Sequence, residues 1–225
     1  MIHVRTKIDR PSPEVVAALG QFSAATIHEA QGRKGALSHR LKPVDPAMSF
    51  CGPAFTVQAQ AGDNIMVQVG ISYARPGDVV IVAAGEFAQA GGFGDVLATA
   101  CQSKGLAAFV TDSGVRDSAD LKALGFPVFS GSICMEGTVK ETLGPINRPL
   151  AVGGQIVRPG DILRGDADGI VVVDPAEAED VVRRCRERED HEAGVRAEHR
   201  RGERTLIEVH GLVEKLKAKG LVVEE

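Results

Sequence analysis

The chain has 225 residues, 44% of them hydrophobic, with no Trp and a single Tyr, which fits one ordinary domain around an aliphatic core. Its 26 glycines and 11 prolines indicate many tight turns and exclude a simple helical bundle. A formal net charge of −4 argues against a nucleic-acid-binding surface, and no uncharged apolar run approaches the ~18 residues needed to span a bilayer.

The segment from Met1 to Val16 carries charges throughout and lacks the apolar stretch of a secretory leader, so the expectation is a soluble, cytoplasmic protein. Ser12-Pro13-Glu14 is a helix start, and that helix stops at Gly20. A second helix is expected from Ser23 to Gln31. Strand-like segments follow at 50–60 and 79–84, the latter after the turn Arg75-Pro76-Gly77-Asp78. Residues 95–104 read as a helix with Val96, Leu97, Ala100 and Cys101 on one face and Gly105 as its cap. Leu106 to Thr111 reads as a short strand and Asp112-Ser113-Gly114 as a turn. Ser118 to Leu124 reads as a helix and Phe126 to Phe129 as another strand. This alternation indicates an α/β fold with a partly parallel sheet.

Arg158-Pro159-Gly160-Asp161 repeats the earlier turn, through internal duplication or through two turns of like chemistry. The residues Gly165 to Gly169 then separate two apolar runs in a hairpin pattern. The domain is expected to cover 1–175, with 176–225 as a charged C-terminal helical arm. Ala178, Val181, Val182 and Cys185 form one apolar stripe that fades. So polar a helix is either a solvated face or an arm laid on a neighbouring subunit. Residues 205–221 are expected to form a short terminal helix. Cys51, Cys101, Cys134 and Cys185 show no metal-thiolate spacing and are expected to be reduced, packed thiols.

The chemistry concentrates where elements meet. A helix at 95–104 joined by Gly105 to the next strand must run back alongside it. Its N-terminus therefore lies near the strand's C-terminal end, bringing Gly94 to Leu97 close to residues 112–117. Three features converge there. One is a glycine-preceded helix N-terminus with free N–H groups, suited to a carboxylate. Another is Arg116, a permanent cation. The last is an acid cluster, Asp95, Asp112 and Asp117, able to hold a hard divalent cation. Each has a plainer alternative: Asp95 or Asp117 as a helix cap, and Arg116–Asp117 as a solvated pair.

Gly94-Asp95-Val96-Leu97 followed, 22 positions after Gly94, by Arg116-Asp117 resembles the signature of the class II 4-hydroxy-4-methyl-2-oxoglutarate / 4-carboxy-4-hydroxy-2-oxoadipate aldolases. These share a superfamily with the ribonuclease-activity regulator A proteins. The segments 26–35, 137–141, 159–161 and 168–172 are also similar; Ser113 after Asp112 departs from the usual glycine. The resemblance implies an α-β-β-α sandwich with mixed sheets, assembling as a trimer or hexamer with active sites between subunits. It further implies Mg²⁺ or Mn²⁺ held by Asp117 and substrate oriented by Arg116. The Gly94 segment and the amides of Val96 and Leu97 would bind the substrate carboxylate, with Asp95 in proton relay. Glu29 and Glu192 would come from the neighbour. Arg33 and Lys34, beside Glu29, are placed to meet distal substrate carboxylates, or simply to offset a helix dipole. The implied reaction releases pyruvate from a hydroxy-oxo acid with no Schiff-base lysine. A regulator of a ribonuclease, which lacks the full metal and acid set, and a dedicated oxaloacetate decarboxylase are the alternatives.

Overall fold

The computed structural model describes residues 4–223. Helix α1 (Pro13–Leu19) begins as expected, with the Ser12 hydroxyl accepting from the Val15 N–H. Helix α2 (Ala24–Ala30) is capped by Ser23, which accepts from the Thr26 N–H. A short strand β1 (Lys42–Pro43) precedes β2 (Phe50–Gln58), helix α3 (Ile65–Tyr73) and β3 (Val79–Ala83). Helix α4 (Asp95–Ser103) leads into β4 (Ala108–Val115), α5 (Ser118–Leu124) and β5 (Val128–Ile133). The remaining strands are β6 (Leu150–Val152), β7 (Gln155–Val157), β8 (Ile162–Asp166) and β9 (Gly169–Val173). A 3₁₀ turn then opens the 24-residue helix α6 (Ala178–Arg201), followed by α7 (Leu206–Val209) and α8 (Val213–Ala218).

Seven strands form one sheet in the order β1-β5-β4-β3-β2-β8-β9; β6 and β7 form a separate pair. Strands β2 to β5 run parallel and are buried on both sides, which explains their unbroken Val/Ile/Ala/Phe runs. Strands β8 and β9 are antiparallel, and their side chains alternate. Leu163 and Ile170 face the main core, whereas Ile162, Val171 and Val173 face α1, α2 and the root of α6. Residues 35–37 pair with β9 and lead to β1, which pairs with β5, so the sheet nearly closes on itself. The layers are α3–α5, the parallel strands, the β8–β9 wing and α1, α2 and α6. The fold is α/β with mixed strands and a C-terminal helix.

Both Arg-Pro-Gly-Asp turns close identically. The aspartate accepts from the arginine N–H in each, at 2.8 Å for Asp78 and 2.7 Å for Asp161. Like turn chemistry therefore accounts for the repeat. The stripe Ala178, Val181, Val182 and Cys185 packs into the same cluster as α1 and α2, so the first turns of the arm belong to the domain core. Beyond Cys185 the helix is polar and outward-facing.

Two expectations need correction. Asp112-Ser113-Gly114 is not a turn but the buried second half of β4. Its polar side chains find partners: Asp112 Oδ1 accepts from the Ala84 N–H (2.6 Å), and Ser113 Oγ donates to the Phe87 carbonyl (2.6 Å). A register shift against β5 absorbs the irregularity. The segment 205–221 forms two short helices, because Gly211 takes φ +63° between them. Helix α3 escaped the sequence reading altogether. Asp63-Asn64 ahead of an apolar run was its start signal, and Asp63 Oδ1 accepts from the Ile65 N–H (2.9 Å).

Candidate active site

The loop between β3 and α4 is pinned to the ends of β4 and β5 by backbone and side-chain bonds. The Gly91 N–H donates to the Glu136 carbonyl (2.7 Å), the Gly92 N–H to Gly114 (3.1 Å) and the Arg116 N–H to Phe93 (2.8 Å). Ser132 Oγ donates to the Ala88 carbonyl (2.8 Å). A Cβ on Gly114 would meet the Ala90 carbonyl at 2.5 Å, so only glycine admits the loop this closely. A Cβ on Gly94 would collide with Asp117 Oδ2. These glycines are the space into which the functional side chains fit.

Helix α4 starts at Gly94 with no side-chain cap. Asp95 is its first residue, and the Asp95 N–H donates to Asp117 Oδ2 at 3.4 Å. The first N–H to close the helix ladder is Ala98, on the Gly94 carbonyl (3.0 Å). The amides of Val96 and Leu97 therefore sit in the uncapped first turn, where the helix dipole favours an anion. Val96 itself is 73% exposed, an apolar side chain left at the rim.

Asp117 is a non-glycine residue in left-handed backbone, φ 56° and ψ 40°. Such a conformation costs on the order of 1–3 kcal/mol and persists only where the surroundings dictate it. Although it stands at the N-cap of α5, its side chain makes no capping bond. It turns toward α4 instead, with Arg116 Nε 3.4 Å from Oδ2 and both side chains partly exposed. The capping alternatives for Asp95 and Asp117 are thereby replaced: one is inside its helix, and the other does not cap α5 but accepts from the first amide of α4.

Asp112 leaves the acid cluster. Its carboxylate is buried at the Ala84 N–H. Burial raises its pKa, against backbone donation from Ala84 and Glu86, and the charge of Glu86 raises it further. A residue with this task holds the loop and does not face the α4 N-terminus. The site's far wall was not foreseen. Asn64 Nδ2 donates to the Gly92 carbonyl (3.1 Å), and Asp63 Oδ2 accepts from the Glu141 and Thr142 N–H groups (2.8 and 2.7 Å). Asp63-Asn64 thus ties the glycine loop to the 137–142 segment.

Glu29, Arg33 and Glu192 form a second group. Arg33 Nε reaches both Glu29 oxygens at 3.0 and 3.2 Å. Arg188 lies 3.8 Å from Glu29 and 2.8 Å from Glu192, which also pairs with Arg196 at 3.2 Å. Arg33 adopts φ +63°, and the Lys34 carbonyl accepts from Gln31 Nε2 at 2.7 Å. This network joins α2 to α6 on the outer face of the β8–β9 wing. Among the described residues no ion pair or hydrogen bond links it to Asp95, Arg116 or Asp117.

Among the described residues no three His, Cys, Asp or Glu side chains cluster into a ready metal cage. Asp117 nonetheless offers what Mg²⁺ or Mn²⁺ accepts, a partly exposed hard-oxygen carboxylate. The four cysteines are free; burial pushes Cys51 and Cys185 up to about 11 and Cys101 to about 12, which disfavours the thiolate a metal would bind at these three. Lys104, a lysine near the site in sequence, donates to the carbonyls of Ile71 and Ser72 at the end of α3.

A family model described as RraA-like, aldolase/RraA, matches residues 22–172. The chain belongs to the aldolase/RraA family. A relative from Halalkalibacterium halodurans, named "Putative 4-hydroxy-4-methyl-2-oxoglutarate aldolase", is 36% identical over 162 residues, 72% of this chain and 77% of that one. A Bacillus cereus protein of the same name is 30% identical over 123 residues, 55% of this chain and 77% of its own. The solved structure of Streptomyces coelicolor RraAS2, titled an unusual member of the RNase ES inhibitor RraA protein family, is 28% identical with TM-score 0.72. It covers 84% of this aldolase/RraA chain and 99% of its own. An uncharacterised Pseudomonas syringae protein shares the fold at TM-score 0.80 and 24% identity, over 91% and 96% of the two chains. No helix among the described residues is long and apolar enough to cross a membrane.

Proposed function

We propose that the chain is a divalent-metal-dependent lyase that releases pyruvate from a 4-hydroxy-2-oxo acid. The substrates are 4-carboxy-4-hydroxy-2-oxoadipate, giving pyruvate and oxaloacetate, and 4-hydroxy-4-methyl-2-oxoglutarate, giving two pyruvates. Both arise in breakdown of aromatic acids. The observation that carries this reading is the meeting of an uncapped α4 N-terminus, Arg116 and a strained Asp117 within one glycine-cradled corner.

The pyruvyl carboxylate sits on the Val96 and Leu97 amides. Asp117 holds the metal, which when bound supplies Lewis-acid polarisation of the 2-keto group. Asp95 relays the proton taken from the C4 hydroxyl. The C3–C4 bond then breaks, its electron pair passing toward the C2 oxygen, where the Arg116 guanidinium offsets the developing charge. Protonation at C3 gives pyruvate. Loss of CO₂ from oxaloacetate leads to the same enolate, so decarboxylation is an expected side activity. Glu29 and Glu192 act from a neighbouring copy, which accounts for their distance from the corner in one chain, and the α6 arm reaches across a trimer or hexamer. Lys34, with Arg33, faces the distal carboxylates of the substrate.

The test is a coupled pyruvate-release assay on both hydroxy-oxo acids and oxaloacetate. Activity should vanish with EDTA and return with Mg²⁺ or Mn²⁺. Neutralising Arg33 and Lys34 together should lower kcat/KM most for the carboxylated acid and least for oxaloacetate. Activity in excess chelator, or borohydride trapping of substrate on a lysine, would overturn the metal reading. The likeness to RraAS2 supports a second reading, a non-catalytic ribonuclease regulator. No pyruvate release from any of the three acids, with inhibition of a ribonuclease instead, would favour it.

A further inference from the structure

The chain is acidic overall, yet one cleft gathers unpaired cations. It has a volume of about 630 Å³ and is lined by Arg5, Lys7, Arg75 and Arg158, with Asp9 as the acid on its wall. It lies where the two Arg-Pro-Gly-Asp turns enter β3 and β8, whereas the catalytic corner lies where β4 ends.

The cleft is built by the fold. Gly160 approaches the Asp9 carbonyl so closely that no Cβ fits between them. The Gly160 N–H donates to the Ala54 carbonyl (2.9 Å) and the Ala54 N–H to Asp161 (2.8 Å), fixing the second turn to β2. The N-terminal segment is held opposite: Asn147, itself at φ +54°, donates through Nδ2 to the Arg5 carbonyl at 2.6 Å. Asp78 is neutralised by Arg10 in two bonds of 2.7 Å, so that aspartate does not compete for Arg75. Asp161 is buried and one of its oxygens is taken up by the Arg158 backbone N–H, not by the Arg158 guanidinium. Among the described residues, none of Arg5, Lys7, Arg75 and Arg158 enters an ion pair.

We infer that this cleft binds a small polyanion carrying two phosphate groups, at a site separate from the catalytic corner. Four cations against Asp9 leave three net positive charges on the lining. Two phosphate groups supply about three to four negative charges near neutral pH, where a dicarboxylate supplies two. Arg75 and Arg158 stand at equivalent positions of equivalent turns, and a guanidinium fork suits a phosphate better than a point charge does. The volume admits a diphosphate ester of about nucleotide size.

The test uses the full chain, with EDTA present to keep metal out of the catalytic corner, and inorganic pyrophosphate as the probe in titration calorimetry. Saturable binding at one site per chain is expected. The double variant Arg75→Gln/Arg158→Gln should weaken it by about tenfold or more, the scale of lost charge-assisted bonds. Arg116→Gln should leave it unchanged. Loss in Arg116→Gln with retention in the double variant would put the anion in the catalytic corner and overturn the inference. So would unsaturable binding, or preference for citrate over pyrophosphate. Circular dichroism of the double variant must match the parent; if it does not, the single Lys7→Gln variant supplies the comparison.

Discussion

Two groups of charged residues answer to the same proposed chemistry, and they are held in different ways. Asp95, Arg116 and Asp117 are placed by backbone bonds and by glycines that leave no spare volume. Glu29, Arg33 and Glu192 are placed by ion pairs between exposed or partly exposed side chains on α2, the loop after it and α6. Exposed pairs contribute about 0–1 kcal/mol each and weaken with salt. The corner is thus complete in one chain as geometry. The helix face is held by such pairs alone, and in the proposed assembly it would lie against a second copy of the chain.

The largest expected effect breaks the corner. Asp117→Ala should abolish metal-dependent pyruvate release; alanine tolerates the left-handed backbone less well than aspartate, a modest cost that the fold survives. Gly94→Ala should cost activity by about 10²-fold or more, because its methyl displaces the Asp117 carboxylate. Arg116→Lys keeps the charge but loses the fork, and should cost on the order of 10²–10³ in kcat. Wild-type kinetics in any of the three would remove the corner from the mechanism.

The next effect separates the two groups. Glu29→Gln should lower kcat about 10²-fold. Mixing it with Asp117→Ala and allowing subunits to exchange should restore part of the activity, since a mixed pair regains one intact site. The mixture staying inactive, with exchange demonstrated by mass, would refute the role of Glu29 in a neighbour's site.

The contrast also explains what the sequence made legible. Segments 94–97 and 116–117 were readable because a helix start, a glycine and a strand end leave local signals. The same local logic misread Asp112-Ser113-Gly114. Its turn-like composition was overridden by partners 26 and 28 positions away, Phe87 and Ala84. Asp63-Asn64 went unremarked as part of the site because its partners lie near residues 92 and 141, separations no window reveals. The β8–β9 hairpin declared itself through alternation, whereas the near-closure of the sheet by residues 35–43 depends on pairing that no periodicity encodes.

A middle-sized effect concerns Asp63. Burial raises its pKa, but donation from the Ile65, Glu141 and Thr142 amides outweighs that, and the net shift is downward. An acid with a lowered folded pKa contributes stability above its unfolded value of about 3.9, lost as pH falls through the folded one. Asp63→Ala should lose about 3 kcal/mol at pH 7, from several charge-assisted bonds at once. The gap from wild type in denaturant midpoint should narrow only as pH falls below the unfolded value of about 3.9. A gap independent of pH would mean that packing, not charge, sets the role of Asp63.

The smallest expected effect falls on Asp112, and it decides whether that residue belongs to the metal site. Burial holds its pKa up. For an acid raised in this way, folding is penalised above the folded pKa and relieved as pH falls through it toward the unfolded value. Asn at this position keeps an oxygen for the Ala84 N–H and removes the buried charge. Asp112→Asn should therefore match or exceed wild-type stability by up to about 1 kcal/mol at pH 7, an advantage that shrinks on acidification. Its pyruvate release and metal requirement should be unchanged, because its carboxylate faces Ala84 and not the α4 N-terminus. Asp112→Ala leaves the Ala84 N–H without a partner and should lose about 1–3 kcal/mol. A fall in metal affinity in Asp112→Asn, with stability intact, would return Asp112 to the acid cluster that its place in the sequence suggested.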